Sequence, residues 1–231
     1  ATDWQIAATG DITGEGKADL LWRRTTGAPT FWRGTSTGFD DQTGFSTTVG
    51  LDWQIAGMGD FTDDGRADIL WRNGNLLTAW TSTGSGFANS AFGIGYAGAD
   101  WSVQGVGDFT GDGLADILWR NANGSVTVWG STGSTFDGAF PVFSVGQDWQ
   151  IAGTGDFDGD QLDDVLWRNT SGAVTVWTSN GTTFSGGEFP VLTVGNEWQV
   201  ADVGDYSNDG LADILWRSTS GGLTWWESTG S

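Results

Sequence analysis

The sequence contains no cysteine and no histidine, only 3 prolines, and 9 lysines and arginines against 29 aspartates and glutamates. Without cysteine and histidine there is no disulfide framework, no Cys- or His-ligated zinc site, and no Ser-His-Asp or Cys-His nucleophile. The shortage of cations leaves a formal charge of −20 and a pI near 4.1. Nucleic acids and anionic membrane surfaces call for a cationic face, so neither is expected as a partner. No run approaches the ~20 apolar residues of a membrane helix, and no membrane insertion is expected. No signal peptide is read either, since the sequence opens at Ala1-Thr2-Asp3-Trp4, already inside a structural pattern.

What the sequence has in excess is glycine, 39 residues, and tryptophan, 16 of 231. Both fall on a repeat. An opening Trp recurs at Trp4, Trp53, Trp101, Trp149 and Trp198, a period of 48 or 49 residues. Gly-Asp follows it at Gly10-Asp11, Gly59-Asp60, Gly107-Asp108, Gly155-Asp156 and Gly204-Asp205, and Trp-Arg comes next, from Trp22-Arg23 to Trp216-Arg217. A further Trp closes each unit, at Trp32, Trp80, Trp129, Trp177 and Trp226. The repeats run approximately 3–51, 52–99, 100–147, 148–196 and 197–231, and are expected to form one domain spanning 1–231.

Each unit reads as short strands divided by Gly, Asn, Ser and Thr turns, with no sustained 3.6-residue apolar period. In the fourth unit the expected strands are 149–153, 164–168, 173–178 and 189–194; in the third unit the last of them is 140–145. Four short strands per ~45 residues is the size of a propeller blade. The fold class is therefore all-β, a five-bladed β-propeller of four-stranded antiparallel blades. Small pairs in the first strand, such as Ala56-Gly57 and Ala152-Gly153, suit strands that approach closely. No fourth-strand candidate is found in the fifth unit, so either its blade has three strands or the chain belongs to a longer ring. The first unit has a longer connection around Gly34–Gly44.

Between the first two strands each unit carries an acidic loop: DITGEGKAD, DFTDDGRAD, DFTGDGLAD, DFDGDQLDD and DYSNDGLAD. Side-chain oxygens at positions 1, 3, 5 and 9, with a backbone carbonyl at 7, describe a hard-cation site, and glycine at 6 permits the turn that gathers the first ligands. The candidate ligands are Asp11, Thr13, Glu15, Lys17 and Asp19; Asp60, Thr62, Asp64, Arg66 and Asp68; Asp108, Thr110, Asp112, Leu114 and Asp116; Asp156, Asp158, Asp160, Leu162 and Asp164; and Asp205, Ser207, Asp209, Leu211 and Asp213. Lys17, Arg66, Leu114, Leu162 and Leu211 contribute through their carbonyls. Ca²⁺ is the expected ion, about five, one per repeat and structural, because it accepts six to eight oxygens at flexible geometry where Mg²⁺ demands a strict octahedron. The ligand positions 1, 3, 5 and 9 hold 16 of the 29 acids, and five divalent ions would halve the net charge. An Asp-Gly hairpin turn needs one or two such residues, not acids at three fixed positions five times over. In the fourth loop Gln161 replaces the position-6 glycine, and an altered loop geometry is expected there.

These loops resemble the FG-GAP/VCBS-type calcium repeats, and are similar to the repeats of integrin alpha-subunit propellers and of a mushroom propeller lectin. The resemblance spans nearly all of residues 3–230. It implies a β-propeller with calcium under each blade, in a secreted or extracellular setting. The second strand departs from the family pattern, ending ILWRN or VLWRN in place of the integrin-like GAP turn.

If the acidic loops share one rim, the loops at the opposite rim bring Trp-Arg of one blade near Asp-Trp-Gln of the next. The candidate ligand residues are Trp4, Arg23, Asp52, Trp53, Arg72, Asp100, Trp101, Arg120, Asp148, Trp149, Arg168, Trp198 and Arg217. An indole face flanked by Arg, Asp and Gln suits a pyranose, and repetition around a ring gives avidity, so the expected partner is a glycan or a glycosylated surface. The competing reading is a non-sugar adhesion or protein-attachment module, in which the second- and third-strand Trp pack between blades and Arg pairs with Asp across the junction. Catalysis is not expected. A glycosidase needs one acid and one nucleophile, a break in symmetry, and the unrepeated acids (Asp40, Asp41, Asp63, Asp137, Asp163, Glu188, Asp202, Glu227) supply only Asp202 near the axis.

Overall fold

A computed structural model of the chain describes residues 3–42, 48–88, 92–93, 95–186 and 189–230. Gly44 and Glu188 lie outside the described residues. No helix occurs among the described residues; the fold is all-β, with five antiparallel sheets in chain order forming the five blades of a β-propeller.

The fourth repeat shows how one blade is built. Trp149–Gly155, Asp164–Asn169 and Ala173–Ser179 are neighbours in that order. The outer edge of the third strand is shared by two short pieces: Phe184–Gly186 pairs with its Trp177–Ser179 end, and Leu192–Thr193 with Ala173–Val174. The fourth strand expected at 189–194 is thus corrected to two segments, and the third repeat does the same with Phe136–Gly138 and Phe143–Ser144. The cause is local. The Asn180 N–H donates to the Thr183 carbonyl and Asn180 Oδ1 accepts from the Thr182 and Thr183 N–H groups, so the chain turns back at once and the ladder begins at Phe184. The fifth sheet has three strands, Trp198–Gly204, Asp213–Ser218 and Leu223–Trp226.

Every first strand whose register is described carries a bulge at the same place, between Ile6/Ala8, Ile55/Gly57, Ile151/Gly153 and Val200/Asp202. The small residues there are demanded by neighbouring first strands: a Cβ on Gly153 would lie 2.4 Å from Val203 Cγ2, and one on Gly105 would lie 2.8 Å from Thr154 Cγ2.

Packing divides the chain into two compact units, residues 1–103 with 131–137, and residues 104–130 with 138–231. In both, the blades stack front to back by the same rule. Register puts Val165 opposite Trp177 and Trp167 opposite Thr175, so one face of the blade carries the two tryptophans and the other carries Leu166, Val174 and Val176. The indoles of Trp167 and Trp177 meet diagonally at 5.3 Å, as do Trp71 and Trp80 at 5.2 Å. The aromatic face of one blade then packs on the aliphatic face of the blade before it. Trp216 and Ile214 bury against Leu166, Val174 and Val176, while Trp71 and Ile69 bury against Leu21 and Phe31. Trp71, Trp119, Trp167 and Trp216 are at most 1% exposed. Each removes roughly 200 Å² from water, worth about 5 kcal/mol as an upper figure.

A serine at the end of the third strand adds a directional bond. Ser82, Ser131, Ser179 and Ser228 donate their hydroxyls to the carbonyls of Ile12, Phe61, Phe109 and Phe157 in the preceding acidic loop, at 2.6–2.8 Å.

Candidate cation loops and rim clefts

The acidic loop is shaped by its own carboxylates. At position 1, Asp156 accepts the Gly159 N–H at 2.7 Å and the Gln161 N–H at 2.9 Å. Asp11, Asp60, Asp108 and Asp205 hold the position-6 N–H in the same way at 2.6–3.0 Å. At position 5, Asp64, Asp112, Asp160 and Asp209 cap the position-7 N–H groups. Arg66 also pairs with Asp64 at 2.6 Å. At position 9 the carboxylates are fully buried: Asp19, Asp68, Asp116, Asp164 and Asp213 are 0% exposed. Asp164 accepts from the Phe157 N–H with one oxygen and from the Ser179 N–H with the other, both at 2.9 Å. It therefore ties the loop to the third strand.

The tight fold of the loop needs two residues in the left-handed region. Position 6 is Gly16, Gly65, Gly113 and Gly210 at φ between 77° and 91°, and Gln161 adopts φ 73°. The expected distortion is absent from the backbone: Gln161 keeps the glycine conformation, held by its bond to Asp156. Position 4 is also left-handed, with Gly14, Asp63, Gly111, Gly159 and Asn208 at φ 60–87°. These are the residue types that tolerate it, a signal present in the sequence and overlooked there; it also gives the unrepeated Asp63 a role. Because a glutamine pays a steric cost in this region, Gln161→Gly is expected to stabilise the protein by about 1 kcal/mol after allowing for the looser unfolded chain. Chemical denaturation of the two proteins measures it, and an equal or lower midpoint for the variant would contradict this account.

The donor set fits a hard cation. In the fourth loop, carboxylate oxygens of Asp156, Asp158 and Asp164 lie within 4.8 Å of one another. In the first, third and fifth loops the position-3 hydroxyls, Thr13 Oγ1, Thr110 Oγ1 and Ser207 Oγ, are buried with no hydrogen-bond partner among the described residues. In the second, Thr62 Oγ1 sits between Asp60 and Asp68, 3.5 and 3.4 Å away. Burial, then the neighbouring acids, pushes the Asp68 carboxyl up to about 6 and the Asp164 carboxyl up to about 7, and raises Asp158. A bound cation reverses that shift by neutralising the cluster.

Asp163, at position 8 where other loops have alanine, accepts the Asp108 N–H at 2.8 Å while its own N–H donates to the Asp108 carbonyl. Burial pushes its carboxyl up to about 6. Asp202 is exposed and accepts the Tyr206 hydroxyl at 2.9 Å.

At the opposite ends of these strands, the second-strand arginine of one blade stands near the opening tryptophan of the next, Arg168 near Trp198 and Arg72 near Trp101. Arg168 and Asn169 line a shallow cleft of about 410 Å³ with Gln150, Asn196, Trp198 and Gln199. Arg72 lines another, of about 550 Å³, with Asp52, Gln54, Trp101 and Ser102. Cross-strand register sets Gln54 opposite Arg72 and Gln150 opposite Arg168. The opening tryptophans, Trp4, Trp53, Trp101, Trp149 and Trp198, are half-buried. Trp71, Trp119, Trp167 and Trp216 lie in the core instead.

The arginines act as clamps. Arg23, Arg72, Arg120 and Arg168 donate from Nη2 to the carbonyls of Gly50, Gly98, Gly146 and Gly195 at 3.0–3.2 Å. The same carbonyls receive the N–H of Trp53, Trp101, Trp149 and Trp198. Arg23, Arg120 and Arg168 also lie over the Trp71, Trp167 and Trp216 rings, 5.1–5.2 Å from the centroids. Burial lowers the pKa of Arg23, Arg72, Arg120 and Arg168, with Asp52 opposing it at Arg23. Asp52 accepts from Asn73 Nδ2 at 2.6 Å, and Asp3 pairs with Arg24 at 2.9 Å. Arg217 is exposed.

Sequence comparison finds the FG-GAP-like repeat at residues 60–119 and 156–216, and the FG-GAP repeat at residues 101–143. No curated protein sequence matches the chain. Among solved structures, a lectin of Agrocybe aegerita, described as specifically recognising non-reducing terminal N-acetylglucosamine, is similar over 100% of this chain at 20% identity and a TM-score of 0.66. The chain spans 64% of that lectin chain. The Photorhabdus luminescens Tc holotoxin pore is similar over 99% of this chain and 14% of its own, at 14% identity and a TM-score of 0.49. At these identities the lectin likeness speaks to the fold, and the toxin likeness carries no further argument.

Proposed function

The chain belongs to the FG-GAP repeat family, and from that we propose that it is a calcium-stabilised, multivalent carbohydrate-binding propeller acting outside the cell. Calcium would be held at positions 1, 3, 5 and 9 of each loop by side-chain oxygens, and at position 7 by the carbonyls of Lys17, Arg66, Leu114, Leu162 and Leu211. The ion neutralises charge and ties the first strand to the second. The buried position-3 hydroxyls of three loops, without hydrogen-bond partners among the described residues, support this.

The observation that carries the sugar reading is the repeated rim cleft, in which a half-buried indole, Trp198 or Trp101, stands beside Gln, Asn, Ser or Asp side chains. An indole face takes the C–H face of a pyranose, and amide and carboxylate groups take its hydroxyls. The polar donors are neutral amides more than arginines, because the guanidinium groups are already bound to glycine carbonyls. Individually weak clefts gain from repetition. The likeness to a lectin makes glycans ending in non-reducing N-acetylglucosamine the first to try.

A glycan array in calcium buffer tests the reading. Binding is expected, and Trp101→Ala and Trp198→Ala should each weaken it about tenfold at their own cleft. No binding to any glycan at high protein density would overturn it. The clamp role of the arginines favours a second reading, a non-sugar adhesion or attachment module, for which binding to a protein surface would survive complete deglycosylation.

A further inference from the structure

Position 7 of the acidic loop offers a carbonyl in every repeat, but its side chain differs. It is Lys17 and Arg66 in the first two loops, and Leu114, Leu162 and Leu211 in the other three. Within each compact unit this side chain lies on position 4 of the preceding loop. A Cβ on Gly111 would stand 2.6 Å from Leu162 Cδ2, and one on Gly159 would stand 3.0 Å from Leu211 Cδ2. One on Gly14 would stand 2.9 Å from Arg66 Cγ. Leucine ends at that contact, whereas arginine carries a charge onward to the carboxylates.

Arg66 is held along its whole length. Its Nε donates to the Ser82 carbonyl at 3.3 Å and its Nη2 to Asp64 Oδ2 at 2.6 Å. Asp64 Oδ1 accepts the Arg66 backbone N–H at 3.1 Å, so one residue takes both oxygens of this position-5 carboxylate. In the first loop Arg33, on the strand Pro29–Thr35, takes the same part, with Nε 3.5 Å from Glu15 Oε1. In the other three loops Asp112, Asp160 and Asp209 accept the leucine N–H through Oδ1. They have no basic partner among the described residues. The second loop's extra acid, Asp63, stands at position 4, outside the ligand set.

Resting on the calcium reading above, we infer that the loops fill in two stages. The third, fourth and fifth take calcium first, and the first and second only at higher concentration. The affinity of such loops follows ligand charge and rigidity. In the first two, a guanidinium already neutralises one of the ligand carboxylates. An incoming ion meets that positive charge and competes with it for Glu15 or Asp64, at the short range where Coulomb forces are largest. The weaker pair lies in the compact unit of residues 1–103, and the tighter three in the unit that begins at residue 104. Between the two stages one unit is loaded while the other still responds to calcium.

Equilibrium dialysis of the full chain against stepped free Ca²⁺, with bound calcium counted by atomic emission, tests this. About three ions are expected to bind first, and about two more with roughly tenfold weaker affinity or less. Arg66→Leu, which installs the residue of the other three loops, should move one ion into the tighter class. Arg33→Gln, at a partly exposed position, should tighten the first loop in the same way, and Leu211→Arg should do the reverse in the fifth. A lost packing contact would lower the melting temperature without raising the count of tight ions, so the count isolates the role of charge. Equivalent ions in the wild type, or a tight class unchanged in both arginine variants, would overturn the two stages and leave the calcium reading standing. No bound calcium at any concentration would overturn both.

Discussion

Treating the calcium-loaded protein with EDTA is expected to lower its melting temperature by more than about 10 °C, and added Ca²⁺ should restore it. One ion held at a hundred times its dissociation constant contributes about 2.7 kcal/mol, and five loops multiply the effect. For a chain of this size each kcal/mol moves the midpoint by about 2–4 °C. The physical source is charge held away from water, with repulsion between neighbouring acids added to it. In the second and fourth loops burial, then the neighbouring acids, pushes Asp68 up to about 6 and Asp164 up to about 7, and a bound ion would remove that penalty. Mg²⁺ should restore less, since its octahedron fits a long all-protein loop poorly. Superimposable melting curves with and without chelator would refute five structural ions.

Asp164→Ala is expected to destabilise the protein by about 2–6 kcal/mol, whether or not calcium is present. Its two carboxylate oxygens accept the N–H groups of Phe157 and Ser179 in the interior, and each buried donor left unsatisfied costs about 1–3 kcal/mol. Asp164→Asn retains one acceptor oxygen and should fall between. This separates the residue's two roles. A pure metal ligand would lose its importance in EDTA, whereas a tie between loop and third strand would not. If wild type and Asp164→Ala melt together in EDTA, the tie is wrong and the position is a ligand alone.

Much of the molecule was legible because its signals are local and repeated. Five opening tryptophans at near-equal spacing, turn residues between short apolar runs, and acids at fixed loop positions each report on a stretch of under ten residues. The approach of a second-strand arginine to the next blade's opening tryptophan was expected from strand order, and the clefts bring Arg168 near Trp198 and Arg72 near Trp101. The outer strand was misplaced because two segments share one edge, and alternation alone does not say which end of a seven-residue strand each one takes. The left-handed position 4 was in plain view as Gly, Asp, Gly, Gly, Asn, but reads as ordinary loop composition until the turn is seen.

The sequence by itself determined the repeat, the blade and the acidic loop, because periodicity, turn chemistry and charge spacing act over neighbouring residues. Only the tertiary structure decided what the side chains face. It put the second-strand tryptophans in the core and left the opening ones half-buried, bound the arginines to the glycine carbonyls that lead into the next blade, and joined each serine to a loop carbonyl some 70 residues earlier. Those choices depend on which blade face meets which, and a stretch of one blade carries no record of its neighbour's surface.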